Sequence, residues 1–281
     1  MVKFSVEGLG MPILAGYMVP HPPIVVPEIG GGEERKIIDT LNSFDEVASD
    51  IASIKPDTII LTSPHSIMYR DYFHISPGRN ARGDFSRFGA RNVRFEVSYD
   101  DELVSAIEDV CESAGIAAGT DGERDPYLDH GTTVPLYFIN KRYTDYKLVR
   151  IGLSGFNLNT HYEFGKAIRK AVDKTGRRAV FVASGDLAHC QKEDGPYGFS
   201  PEGPLYDEMI MKTMGEGDFA SLTSYDPDLL DKAMECGHRS FTIMGGAFEG
   251  INLETVELSH EATFGVGYGF CIYRPLPYTD V

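Results

Sequence analysis

The chain has 281 residues, with 26 Lys plus Arg against 42 Asp plus Glu, a formal charge of −16. That balance argues against a general nucleic-acid binder, which needs clustered cations to meet phosphates, and a hydrophobic content of 42% argues against disorder as the main state. No uninterrupted apolar run approaches the roughly 18 residues that cross a bilayer, and Met1–Gly8 lacks the apolar stretch of a secretory leader. A cytoplasmic protein with no membrane partner is expected. Cysteines at 111, 190, 236 and 271 form no Cys-x-x-Cys pair, so free thiols are expected in place of a zinc ribbon or a redox motif.

In chain order, Ile37, Ile38, Leu41, Phe44, Val47, Ala48, Ile51 and Ile54 recur at helical spacing and predict an amphipathic helix over 33–54. Lys55-Pro56-Asp57 ends it, and the β-branched run Thr58–Thr62 between two prolines predicts a buried strand. The stretch 76–84 reads as a loop. The alternation then repeats: a strand over 93–98 and a helix near 101–114, a strand over 148–153 and a helix near 160–174, a strand over 179–183 and a helix near 203–215. Another loop is expected over 193–198, and the last apolar segment, 264–273, reads as a strand whose glycines allow close backbone approach. Strands alternating with helices imply an α/β layer fold with a mostly parallel sheet, and with no repeat or linker a single domain over 1–281 is expected.

Eight histidines are an ordinary count; their placement carries the signal. His21, His65 and His189 each lie just beyond the carboxyl end of a predicted strand, and in an open parallel sheet those ends share one rim where ligands bind. Pro20-His21-Pro22-Pro23 and Ser63-Pro64-His65 also stiffen the backbone around two of them, which suits a metal ligand. His130 follows Asp129, a carboxylate that could orient an imidazole. The segment Glu235-Cys236-Gly237-His238 offers a carboxylate, a thiol and an imidazole, any one of which could face a metal. His74 and His161 have no supporting context, and His260 with Glu261 reads as a sheet-edge pair.

Taken in order, Pro20-His21-Pro22-Pro23, Ser63-Pro64-His65, Asp129-His130-Gly131-Thr132-Thr133-Val134-Pro135-Leu136 and Ser184-Gly185-Asp186-Leu187-Ala188-His189 resemble the class III extradiol dioxygenases of the LigB-like superfamily. The segments 235–240 and 264–269 resemble most the branch containing Memo and the AmmeMemoRadiSam system proteins. The resemblance spans nearly the whole chain and implies one three-layer α/β/α domain around a mostly parallel or mixed central sheet. It also implies Fe(II) held by two histidines and a glutamate, which on this chain match His21, His65 and Glu235, with open positions for a catechol and O2. His189 matches the family acid/base residue and His130 a second active-site histidine.

The expected activity is therefore extradiol ring cleavage of a catechol-type aromatic. The chain departs from the working dioxygenases at 235–237, where Memo-type proteins place a cysteine near the metal. If Cys236 points inward, a thiolate favours zinc or copper, and the alternative is a Memo-like metal-binding, redox-linked protein that cleaves no ring. A homo-oligomer is compatible with either reading.

Overall fold

The computed structural model describes residues 13–277. Its strands are β1 (Ile13–Val19), β2 (Thr58–Ser63), β3 (Phe73–His74), β4 (Asn80–Phe85), β5 (Ala90–Ser98), β6 (Ala118–Gly119), β7 (Lys147–Gly152), β8 (Ala179–Ser184), β9 (Leu253–Glu261) and β10 (Tyr268–Pro275). The helices are α1 (Pro27–Gly30), α2 (Ile38–Ile54), α3 (Asp101–Ala114), α4 (His130–Ile139), α5 (Leu158–Thr175), α6 (Glu202–Glu216), α7 (Pro227–Ala233) and α8 (His238–Ala247). Six strands form the central sheet in the order β7-β2-β8-β1-β10-β9. The first four run parallel, and β10 and β9 add antiparallel at one side.

Burial on both faces explains the apolar runs. Every residue of β2 and β8 is buried, and successive residues feed opposite cores, as the period of two requires. Val180 and Val182 pack with Ile59, Leu61 and Phe44 of α2 on one side; Phe181 and Ala183 pack with Ile60, Phe164 of α5 and Phe241 of α8 on the other. Helices thus cover both faces of a mixed α/β sheet.

The differences from expectation have local causes. The helix expected over 33–54 begins at Ile38, because Ile37 is non-helical (φ −122°, ψ 57°) with its side chain fully buried, and residues 33–37 form a 3-10 turn. The stretch 76–84 is a loop only as far as Arg79; Asn80–Phe85 is a strand in which Ala81, Gly83 and Phe85 alternate inward. The Gly and polar content of an edge ribbon concealed that period. Its partner β5, expected over 93–98 as part of the alternating pattern, pairs with β4 in a separate two-stranded ribbon. The last strand starts at Tyr268, four residues later than expected, since Gly265 turns the chain at φ +83°.

His161, on α5, is fully buried, with its Nδ1–H donating to the Asn157 carbonyl at 2.9 Å and its ring edge on Phe73. Burial is the main force that lowers its pKa to about 4. The folded value lies below the unfolded one, so the unfolded chain takes up this proton first. Stability should be fully present above about pH 6.5 and fall as the pH drops towards 4, by roughly 3 kcal/mol from this group. Urea unfolding of His161→Phe across that range should show a shallower acid limb than the parent.

Candidate metal and substrate site

The sheet order puts the histidine-bearing loops side by side. β2, β8 and β1 are neighbours, all parallel, so the residues following them emerge on one rim within two strand spacings, about 10 Å. Imidazoles on the outer two strands can meet over the middle one. His21 and His65 do meet: their Nε2 atoms lie 3.0 Å apart, with ring centroids separated by 4.8 Å. His130, the first residue of α4, has its ring centroid 3.9 Å from that of His65, the planes tilted by 30°, and meets His21 edge-on at 5.4 Å.

The third donor at this cluster is Cys236. Its Sγ lies 3.6 Å from His21 Nε2, and one donor atom from each of His21, His65 and Cys236 falls within 4.8 Å of the other two. A second, overlapping group joins Asp186, His189 and Cys236 within the same limit. Close backbone approach brings these loops together: a Cβ on Gly185 would collide with the Cα of Gly237. Only glycine facing glycine lets the loop after β8 touch the loop before α8 this closely. The contact is then fixed by hydrogen bonds from the Cys236 and Gly237 amides to the Asp186 carbonyl.

Glu235, expected as the carboxylate ligand, is turned elsewhere. Its carboxylate accepts the His238 amide at 2.6 Å at the start of α8, where helix-end N–H groups need an acceptor. It belongs to neither donor group. Burial pushes its pKa up to about 7. His238 is likewise spent, with Nε2 donating to the Leu222 carbonyl at 2.9 Å and Nδ1 near the Tyr206 hydroxyl at 3.3 Å. Asp129 does not orient His130; it caps α4 by accepting from the Thr132 amide at 3.0 Å, and it accepts the Ser63 hydroxyl at 2.5 Å. His260 pairs not with Glu261 but with Asp207, at 2.7 Å, while Glu261 accepts from Thr40.

The electronic state of the cluster follows from its partners. The Ser184 hydroxyl donates to the Gly131 carbonyl at 2.6 Å, so its oxygen is left to accept His21 Nδ1–H at 2.9 Å. That fixes the tautomer: His21 directs a bare Nε2 lone pair at His65 and Cys236. Burial, reinforced by His65, His130 and His189, holds His21 well below the usual imidazole range. Burial also lowers His65, and takes His130 and His189 down to about 4. Burial drives the Cys236 thiol well up, with Asp186 and Glu235 adding to the rise. Neutral imidazoles converging beside a thiol that ionises only against a positive charge are the donor set of a cation site. His189 Nε2 is buried without a hydrogen-bond partner, and the ring lies against Tyr197 at 5.1 Å. The residues therefore fit a metal.

Ser184 and Asp186 were not singled out from the sequence, although both lie in the Ser-Gly-Asp-Leu-Ala-His run; an acid three residues before His189 was the available signal. Asp186 Oδ1 accepts the His21 amide at 2.7 Å while Oδ2 stands 3.9 Å from His21 Nε2, and burial pushes its carboxyl up to about 7. Removing the tautomer-fixing hydroxyl with Ser184→Ala should weaken metal binding by about 10- to 100-fold. Isothermal titration with the metal checks this, with circular dichroism to confirm that the fold is kept.

Residues 15–271 match the family model described as the catalytic LigB subunit of aromatic ring-opening dioxygenase, and the chain belongs to that family. It is similar to Protein CA_C1420 of Clostridium acetobutylicum, 42% identical over 90% of this chain but only 56% of the relative, so the chain spans little more than half of that protein's length. It is 26% identical to the 2-aminophenol 1,6-dioxygenase beta subunit of a Pseudomonas species, over 91% of this chain and 92% of the relative. A shorter match, 36% over 66 residues covering 24% of each chain, links it to a MEMO1 family protein of Pyrobaculum aerophilum. The crystal structure of an uncharacterized Escherichia coli K12 protein, JW3007, shares the fold with a TM-score of 0.62 at 14% identity, covering 93% of this chain and 99% of that one. Among the described residues, no helix is long and apolar enough to cross a membrane.

Proposed function

We propose that the chain is a metal-dependent oxidoreductase of the Memo-like kind, its cation held by His21, His65 and Cys236, with His189 and His130 facing a small-molecule substrate. The observation that carries this reading is the exchange at 235–236: the Cys236 sulfur stands beside His21, while the Glu235 carboxylate is occupied by the α8 amide. Two imidazoles and a thiolate suit zinc, copper or ferrous iron better than an all-oxygen site would. When bound, the metal supplies Lewis-acid and electron-transfer chemistry. The chain's own residues do the rest. His21 offers a lone pair whose direction Ser184 sets. His65 is exposed and so stands on the solvent side of the cluster. His189, neutral near pH 7, has a free Nε2 able to take a proton from a substrate hydroxyl, and Tyr197 shields one face of its ring.

A second reading is ferrous extradiol cleavage of a catechol-type ring with O2. The family membership, the likeness to a 2-aminophenol 1,6-dioxygenase subunit and the two unligated histidines beside the cluster favour it. One experiment separates the two. Protein loaded anaerobically with Fe(II), Cu(I) or Zn(II) is mixed with catechol and 2-aminophenol, air is admitted, and visible absorbance is followed. The first reading predicts one metal bound per chain and no ring-opened product. A yellow product from the iron form assigns the second, and failure to bind any of the three metals overturns both.

A further inference from the structure

Among the described residues, no hydrogen bond holds the His189 ring as Ser184 holds that of His21. Its Nε2 has no partner, and the imidazole leans on the exposed Tyr197 ring, with centroids 5.1 Å apart and planes tilted by 30°. Where the imidazole stands is therefore decided by its main chain. The Leu187 N–H donates to the Gly267 carbonyl and the Gly267 N–H to the Ala188 carbonyl, both at 2.8 Å, and the His189 N–H donates to the Ala233 carbonyl at 3.1 Å. The Ala188 amide differs from these, because its acceptor is a side chain. It donates to Oδ1 of Asp207, a residue of α6, at 2.9 Å.

Asp207 is 1% exposed, and a carboxylate buried to this degree costs more than one amide returns unless its other oxygen is also paired. The second partner comes from the edge strand of the central sheet, where His260 Nε2 on β9 stands 2.7 Å from Asp207 Oδ2. Burial raises the Asp207 carboxyl, while the hydrogen bonds to His260 and the Ala188 amide pull it back down. Gly267 makes room for the carboxylate. A Cβ there would come within 2.0 Å of Asp207 Oδ2 and 2.9 Å of the Leu187 side chain. The loop after β8, α6, β9 and the turn before β10 thus close on one side chain, which belongs to neither donor group at the rim.

A neutral acceptor could satisfy the Ala188 amide at a lower desolvation cost. A carboxylate instead gives a charge-assisted hydrogen bond, shorter and about twice as strong, and so a stiffer hold on the residue directly before His189. We infer that Asp207, locked by His260, is a positioning residue that fixes where the His189 imidazole stands at the rim. The inference rests on the reading of His189 as a group facing a small-molecule substrate, since a proton acceptor has to be held within about 0.5 Å of its productive place. The His260 side chain is 34% exposed, so the lock can be opened from the sheet edge without removing core packing.

The test is nuclear magnetic resonance of the full chain with ring-labelled histidine, loaded with Zn(II), the His189 signal being assigned with H189Q. In the parent, the Tyr197 ring current should displace the His189 ring protons, and a nuclear Overhauser contact should link the two rings. D207A should lose that contact and most of the displacement. D207N, whose carbonyl oxygen still accepts the Ala188 N–H, should keep both. The His21, His65 and His130 signals should stay in place, and zinc affinity should remain within about threefold of the parent in both variants. H260F, at the exposed end of the lock, should lose part of the displacement, and it decides the question if D207A does not fold. Unchanged His189 signals in these variants overturn the inference, as does a parent chain without the His189–Tyr197 contact. Shifts of His21, His65 and His130 in D207A as large as that of His189 also overturn it, because they mark general loosening. A parent chain that binds no zinc removes the metal-site reading, while the same comparison in the metal-free chain still decides for or against Asp207.

Discussion

Replacing Cys236 with serine should lower metal affinity by more than about 100-fold, since loss of partners one shell further out already costs about 10- to 100-fold. Glu235→Gln should leave the affinity within about threefold of the parent. The contrast follows from where the two side chains point. Cys236 Sγ is in reach of both donor groups at the rim, and a hydroxyl there gives a hard, poorly ionised donor in place of a thiolate. The amide of glutamine retains a carbonyl oxygen able to accept the His238 N–H, so Glu235→Gln keeps the helix cap without a charge that burial already disfavours. Its effect should fall on stability, by less than about 1 kcal/mol. Metal titration of both variants checks the pair, and the reverse order of losses would reinstate a carboxylate ligand.

Arg150→Met should destabilise the fold by about 3–5 kcal/mol, the usual consequence of removing one member of a buried charged network. Arg150 lies in the middle of β7 with 1% exposure. Its guanidinium donates to Ser76 Oγ at 2.6 Å, to the Tyr127 carbonyl at 2.8 Å and to the Asp125 carbonyl at 3.3 Å, and it stands 3.7 Å from the Asp129 carboxylate. Methionine matches its length but satisfies none of these acceptors, and the buried Ser76 hydroxyl and the Asp129 carboxylate lose their guanidinium partner. Because residues 125–129 lead into α4, the same substitution should loosen His130. Chemical denaturation measures the first effect, and broadening of the His130 ring resonances measures the second.

The outline of the fold was legible because burial on both faces of a parallel strand writes itself as an apolar run. Thr58–Thr62 and Ala179–Ala183 are such runs, and both lie within strands of the central sheet. The ribbon β4–β5 was not legible as a ribbon, since half of its residues face water and glycine supplies one of its inward positions. The same contrast holds at the site. Histidines just after three apolar runs could be placed on one rim by topology alone, and the structure does bring His21 and His65 together. Which of two adjacent residues, Glu235 or Cys236, faces the cluster depends on side-chain direction in a loop set by the Gly185–Gly237 contact. Sequence spacing carries no information about that contact. Ser184 and Arg150 were hidden for another reason: each acts through a partner distant in sequence, Ser184 through His21 and Arg150 through the 125–129 loop.

X-ray absorption at the metal edge of anaerobically loaded protein tests the donor set most directly. Two imidazoles and one sulfur bonded to the metal, with the sulfur lost in Cys236→Ser, is the spectrum predicted. A shell of nitrogen and oxygen alone, unchanged by that substitution, would contradict it.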